Sequence, residues 1–145
     1  YTTLFRSLEK GLIGFESCER FIIIPVKNND LMGWMQSIED PSLAFVVANP
    51  FDFYEDYSFD IDNEDIETLS IKSIEDVYVL SLLVVPSDIQ SITANLLAPV
   101  VINKQIKKGK QLVLNNSNYR TKHYIIKDLQ KAAKQSKKLE MFNKK

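Results

Sequence analysis

Apolar residues fall along this chain in short runs separated by turn-forming residues, and most of the runs have the alternation or continuity of strands rather than the spacing of helices. Residues 20–26 predict a strand, with Asn28, Asn29 and Asp30 as its turn. In residues 31–38, Trp34, Gln36 and Ile38 share one parity while Met35 and Ser37 share the other, which is strand alternation. Glu39, Asp40, Pro41 and Ser42 then make a turn. The nearly continuous apolar run 43–48 returns and is closed by Asn49 and Pro50, so 31–48 predicts a hairpin. Residues 77–85 predict a second core strand, ended by Pro86, Ser87 and Asp88.

The run from Leu96 to Ile102 is apolar throughout, too short to cross a membrane, and rich enough in Val and Ile to predict a strand buried on both faces. Pro99 lies inside it and cannot donate to a ladder, so the run must bend, bulge or lie at an edge there. Asn95 and Asn103 bracket the run, and the simplest reading makes them turn residues whose side chains need partners. Gly11 and Gly14 mark an early turn, and Gly109 predicts a turn ahead of a further strand reaching residue 114. Helical spacing is confined to residues 63–69 and to 124–141, where there is no Gly or Pro. There Ile126, Leu129 and Ala133 fall on one side, with Lys127, Lys131, Lys134 and Lys138 on the others. About eight short strands and one terminal helix predict an all-β, barrel-like folded antiparallel sheet. The expected organisation is a single domain over residues 1–145, with a basic helical tail at about 124–145.

A length of 145 residues with 45% hydrophobic and 26% charged positions suits one core. No window holds the roughly 18 apolar residues of a membrane span or the layout of a signal peptide, so a soluble cytoplasmic protein is expected. The lone Cys18 reads as a small buried residue, and a single histidine, His123, leaves no ligand set for zinc. There is no glycine-rich phosphate loop, no Ser-His-Asp set and no metal-ligand cluster. No catalytic residue, metal or cofactor is therefore expected.

Charge changes the picture more than composition does. The net charge is −1, yet residues 1–80 carry 16 acids and 5 bases while residues 81–145 carry 3 acids and 13 bases. Such segregation suits an acidic face for one partner and a basic tail for another, or an internal pairing of the two. Asp52, Glu55, Asp56, Asp60, Asp62, Glu64, Asp65 and Glu67 all fall in the stretch 51–67, with no base among them, interleaved with Phe51, Phe53, Tyr54, Tyr57 and Phe59. One reading is a solvated rim in which the aromatics anchor a loop and the acids face water. The functional reading is an acidic and aromatic surface that steers a basic partner. Calcium is disfavoured, because Asp60, Asp62 and Glu64 lack the central glycine and terminal glutamate of an EF-hand loop. The basic tail offers only Tyr124 and Phe142 for stacking bases, so direct nucleic-acid binding is not expected.

Several segments, in register over most of the chain, resemble the FliW family of flagellar assembly factors. Residues 11–16, Gly-Leu-Ile-Gly-Phe-Glu, are similar to the family's opening GLPGFE, with Ile13 in place of proline. Residues 34–41 resemble its WLQS-x-EDP hairpin, residues 44–50 its AFVVxNP strand, and Asp56-Tyr57 the pair that follows. Residues 93–103 resemble TVNLxAPIVIN with Ala94 for valine, while Gly109, Lys110, Gln111, Tyr119 and His123 resemble the closing GxQ and YxxxH elements.

The resemblance implies a non-enzymatic regulator, expected to be monomeric, that binds newly made flagellin and also the small RNA-binding repressor CsrA, relieving repression of flagellin mRNA. On that basis Asp56, Asp60, Asp62, Glu64 and Asp65 are the expected repressor-binding residues, with Tyr57 beside them as a further expected partner-binding residue. Asn95, Leu96, Pro99 and Asn103 mark the neighbourhood expected to take an amphipathic helix of flagellin. The alternatives left open are an RNA-binding module and a small-ligand-binding barrel.

Overall fold

The computed structural model describes residues 3–5, 7–115 and 118–130. Its strands are β1 (Thr3–Phe5), β2 (Ser7–Glu9), β3 (Phe21–Val26), β4 (Asn29–Ser37), β5 (Ala44–Ala48), β6 (Val77–Val84), β7 (Thr93–Ala94), β8 (Val100–Asn103), β9 (Lys108–Gln111) and β10 (His123–Tyr124). One helix, α1 (Asn63–Thr68), lies in the long connection between β5 and β6, and residues 126–130 are helical.

The ten strands form one sheet with the path β1-β3-β4-β5-β6-β8-β9-β2. Its two end strands are separated by a single residue in the chain, which curls the sheet into the expected barrel-like form. Pairing is antiparallel except at the closing seam, where β2 runs parallel to β9 with Leu8 opposite Gly109. Parity then sorts the side chains. Leu8, Phe21, Ile23, Met35, Val47, Leu80, Val100 and Ile102 fill the inside. The opposite parity of the same strands, Ala48, Leu83, Ala94, Val79 and Val101, faces outward and is equally apolar. That second apolar face has to be covered, and the segment between β5 and β6 covers it.

The hairpin expected over 31–48 is β4 and β5, paired from Met32↔Ala48 to Gln36↔Ala44. Three expectations are corrected. The run from Leu96 to Ile102 is not one strand: β7 and β8 lie on either side of a corner at residues 95–99. They pair with different halves of β6, β8 with Val77 to Leu80 and β7 with Leu83 to Val84. Asn95 holds that corner by accepting the Ala98 N–H on Oδ1 at 3.0 Å, and Pro99 supplies the break the sequence required. Gly109 is inside β9, not in a turn. A Cβ there would stand 3.1 Å from both an Ile102 side-chain carbon and the Val101 carbonyl, so the residue is glycine for closeness at the seam. The turn lies just before it, with Lys107 at φ 58. Finally, Tyr124 belongs to β10, paired with Thr93, and the helix starts two residues later. Two of the short strands, β7 and β10, account for the excess over the expected eight. The remainder of the expected basic tail, residues 131–145, lies outside the described residues.

Gly11, at φ +65, is the tightest of the glycines: a Cβ there would fall 2.6 Å from the Glu16 carbonyl oxygen. Gly11→Ala is expected to cost about 2 kcal/mol and to lower the melting temperature by several degrees in a calorimetric scan. An unchanged melting temperature would show that the 11–16 turn does not hold the chain's start against β9.

Candidate functional site

The cover over the outer face begins with Asn49, whose side chain accepts the Phe51 N–H at 2.9 Å and starts a short 3-10 turn at Pro50–Asp52. Phe53 and Tyr57 then turn inward, and they are 5% and 3% exposed. The Tyr57 hydroxyl donates to the Leu96 carbonyl at 2.6 Å, and burial pushes its pKa far up, so it stays a neutral donor. Tyr119 makes the second fastening: its hydroxyl accepts the Ser58 N–H and donates to the Ser58 carbonyl, both at 2.9 Å. The rings of Tyr54, Tyr57 and Tyr119 meet edge to face, with Tyr57 and Tyr119 centroids 4.7 Å apart, and the His123 ring stands against Tyr54 at 5.2 Å. Each such pair contributes about 0.5–1.5 kcal/mol beyond its buried area. The aromatics therefore anchor the loop, and the acids between them are left outside.

Asp56, Asp60, Asp62 and Glu64 are exposed. Asp62 also caps α1, accepting the Asp65 N–H at 2.9 Å, and Glu64 and Asp65 sit in the first turn, where the helix N-terminus favours negative charge. Asp65 differs from the others. It turns inward, is 9% exposed, and pairs with Lys110 Nζ of β9 at 2.5 Å. The hydrogen bond to Asp65 raises the Lys110 pKa above its ordinary value, with the charges of Glu64 and Asp62 adding to it. This pair ties the acidic half of the chain to the basic half.

Of the second group, Leu96 lies under Tyr57 and Asn103 under the end of α1. Leu96, Pro99 and Asn103 are buried and Asn95 is half-buried. Asn103 Nδ2 donates to the Leu69 and Ser70 carbonyls at 2.8 and 3.1 Å, holding the C-terminal end of α1. The backbone of Asn95 accepts from the Ser81 hydroxyl at 2.7 Å at the fork of β6. The structure thus leaves Asp56, Asp60, Asp62 and Glu64 of the first group on the surface, turns its Tyr57 and Asp65 inward, and joins Tyr57 to Leu96 and the end of α1 to Asn103 beneath.

What sequence reasoning missed is a groove beside the acids, about 710 Å³ in volume, between the 51–61 loop, α1 and residues 71–79. Phe51, Phe59, Ile61, Ile66, Ile71 and Ile74 line it, and Ile74 is 79% exposed. The signal was present as Ile61, Ile66, Ile71 and Ile74 in an otherwise polar stretch. Also missed is an apolar row crossing the outer face of the barrel, Ile24↔Trp34↔Val46↔Leu83↔Ala94, whose Ile24 and Trp34 are 38% and 43% exposed. Among the described residues no group of three or more His, Cys, Asp and Glu side chains could hold a metal ion, and no helix is long and apolar enough to cross a membrane.

Tyr57→Phe leaves the buried Leu96 carbonyl without its donor and is expected to cost about 1–2 kcal/mol, read by urea denaturation. Lys110→Met strands the Asp65 carboxylate and is expected to cost about 2 kcal/mol at neutral pH, less than a fully buried pair because both side chains keep some contact with water. Because the folded pKa of Lys110 is raised, the pair's contribution is complete below the ordinary lysine value and disappears as pH rises through the raised one. As pH is raised from neutral, the gap between Lys110→Met and the parent should accordingly close only in strongly alkaline solution. A gap that closes near pH 7 would contradict the pairing.

The family described as FliW protein matches residues 4–125. The flagellar assembly factor FliW of Alkaliphilus metalliredigens (strain QYMF) is 44% identical over 127 residues, which is 87% of this chain and 78% of that protein. That of Bacillus velezensis (strain DSM 23117 / BGSC 10A6 / LMG 26770 / FZB42) is 40% identical over 119 residues, 82% of this chain and 83% of the relative. A crystal structure of the flagellar assembly factor FliW superposes with a TM-score of 0.78 at 35% identity, covering 83% of this chain and 84% of the other. With the family matched across β1 to β10 and the same fold in a solved relative, this chain belongs to the FliW family of flagellar assembly factors.

Proposed function

We propose that this protein is a non-enzymatic cytoplasmic regulator that binds flagellin and, alternatively, the RNA-binding repressor CsrA, antagonising CsrA repression of flagellin mRNA translation. The observation that carries the reading is the row of exposed carboxylates Asp56, Asp60, Asp62 and Glu64 fixed on an aromatic platform. A repressor that binds RNA presents basic surface, and carboxylates held in place by buried rings meet it without first losing conformational freedom. Asp65 serves this surface from below, through Lys110, by fixing α1. Leu96 and Asn103 serve it by fixing Tyr57 and the end of α1, and Asn95 by holding the corner that presents Leu96.

Flagellin takes the neighbouring apolar surface. The exposed end of the row, Ile24 and Trp34 with half-buried Val46, lies beside the covered Leu83 and Ala94 and offers a strip on which an amphipathic helix can lay its apolar face. The two partners then differ in what holds them, charge for the repressor and apolar area for flagellin.

Replacing Asp56 and Asp60 by Asn and Glu64 by Gln should weaken CsrA binding about tenfold and flatten its salt dependence, with the circular-dichroism spectrum unchanged. Equal affinity and an equal salt slope would remove the acidic surface from the mechanism. Trp34 is the single tryptophan, so its emission is expected to shift to the blue when flagellin is added. An unshifted spectrum in a complex proven by chromatography would place flagellin elsewhere.

A further inference from the structure

The groove beside the acids is apolar along its walls and acidic along its rim. Five wall residues are each followed in the chain by an acid: Phe51 by Asp52, Phe59 by Asp60, Ile61 by Asp62, Ile66 by Glu67 and Ile74 by Glu75. Asp60 is itself part of the lining, and among the described residues Lys72 is the one cation in it. A surface of this kind selects a segment that alternates lysines with apolar anchors.

The chain carries such a segment itself. Residues 131–145 hold Lys131, Lys134, Lys137, Lys138, Lys144 and Lys145 against one acid, Glu140, with Leu139, Met141 and Phe142 among them. They lie beyond the residues matched to the family, which end at 125. The described chain ends close to the groove: Ile126 and Leu129 pack on the cluster that contains Tyr54, Tyr57 and Phe59. From His123, successive ring contacts of 5.2, 6.2 and 5.7 Å lead through Tyr54 and Tyr57 to Phe51 in the groove wall. Fifteen further residues can span about 50 Å when extended, well beyond that distance. A tethered segment also meets the groove at an effective concentration on the order of millimolar, above that of a second copy at ordinary protein concentration.

We propose that the lysine-rich segment 131–145 docks in the groove between the 51–61 loop, α1 and residues 71–79 of its own chain, and competes there with a basic protein partner. The occupancy by the segment stands on the groove and the charges alone, whereas the competition rests on the repressor-binding reading above. Its regulatory sense is that a basic partner has to displace a tethered competitor, so binding at the acidic surface acquires a threshold.

The full chain, without partner, is treated with a carbodiimide, which joins lysine amines to carboxylates in direct contact, and the links are mapped by mass spectrometry. Links from Lys131, Lys134, Lys137 or Lys138 to Asp60, Glu67 or Glu75 are expected, lost in 1 M salt, where the screening length is about 3 Å. They should fall at least about fivefold in Ile74→Lys, a substitution at an exposed wall position that leaves the core untouched. Links that go only to acids remote from the groove, such as Glu16 or Asp30, would overturn the proposal. So would links found only between copies in a mixture of isotope-labelled and unlabelled chain. Replacing Lys131, Lys134, Lys137 and Lys138 by Glu should then tighten CsrA binding by about tenfold. Unchanged CsrA binding despite groove links would overturn the competition, while absent links with salt-sensitive CsrA binding would overturn the docking and leave the repressor reading standing.

Discussion

A sheet whose first and last strands are neighbours in sequence has no choice but to curl, and β1 and β2 impose that constraint on this fold. Curling creates an interior, which Phe21, Met35, Val100 and their neighbours fill. It does not dispose of the other face of the same strands, where Val79, Leu83, Ala94 and Val101 are just as apolar. The connection from β5 to β6 exists to solve that second problem. Its inward residues are rings and leucine, its outward residues are acids, and the site is the solvent side of a structural necessity.

The charge segregation along the sequence acquires a physical form in this arrangement. The acidic half provides the cover and the basic half provides β9 beneath it, with Asp65 and Lys110 crossing between them. Only Asp65 of the acids at 52–67 turns inward to pair with a lysine among the described residues. The others are exposed along one connection, and a cation arriving there meets several carboxylates.

Strands with clean alternation or unbroken apolar runs, such as β4, β5 and β6, were legible from the residues because period and burial agree in them. The corner at residues 95–99 was legible only in part: Pro99 announced a break, but a run of apolar residues looks the same whether it is one buried strand or two strands around a buried corner. Gly109 misled because glycine punctuates turns and also allows close packing, and only the distance to Ile102 tells the two apart. In the site, the exposure of Asp56 and Asp60 followed from the alternation of acids with rings. The inward turn of Asp65 did not, since its partner Lys110 is distant in sequence and no local pattern encodes it. The groove was hidden for the same reason, as its walls come from three separate stretches.

The seam between β2 and β9 sets the order of events when the protein is made. Leu8 finds its place beside Gly109, so the start of the chain leaves the ribosome long before the strand that receives it has been translated. Until then β3 to β6 can pair as a meander, but its apolar inner face has no closing strand and its outer face depends on Leu96 and Tyr119, which come later still. Contacts this distant in sequence make folding slow, and the nascent meander is a sticky surface for as long as it waits. A chain of this topology therefore passes through an early stage in which apolar surface is open to whatever else is near it.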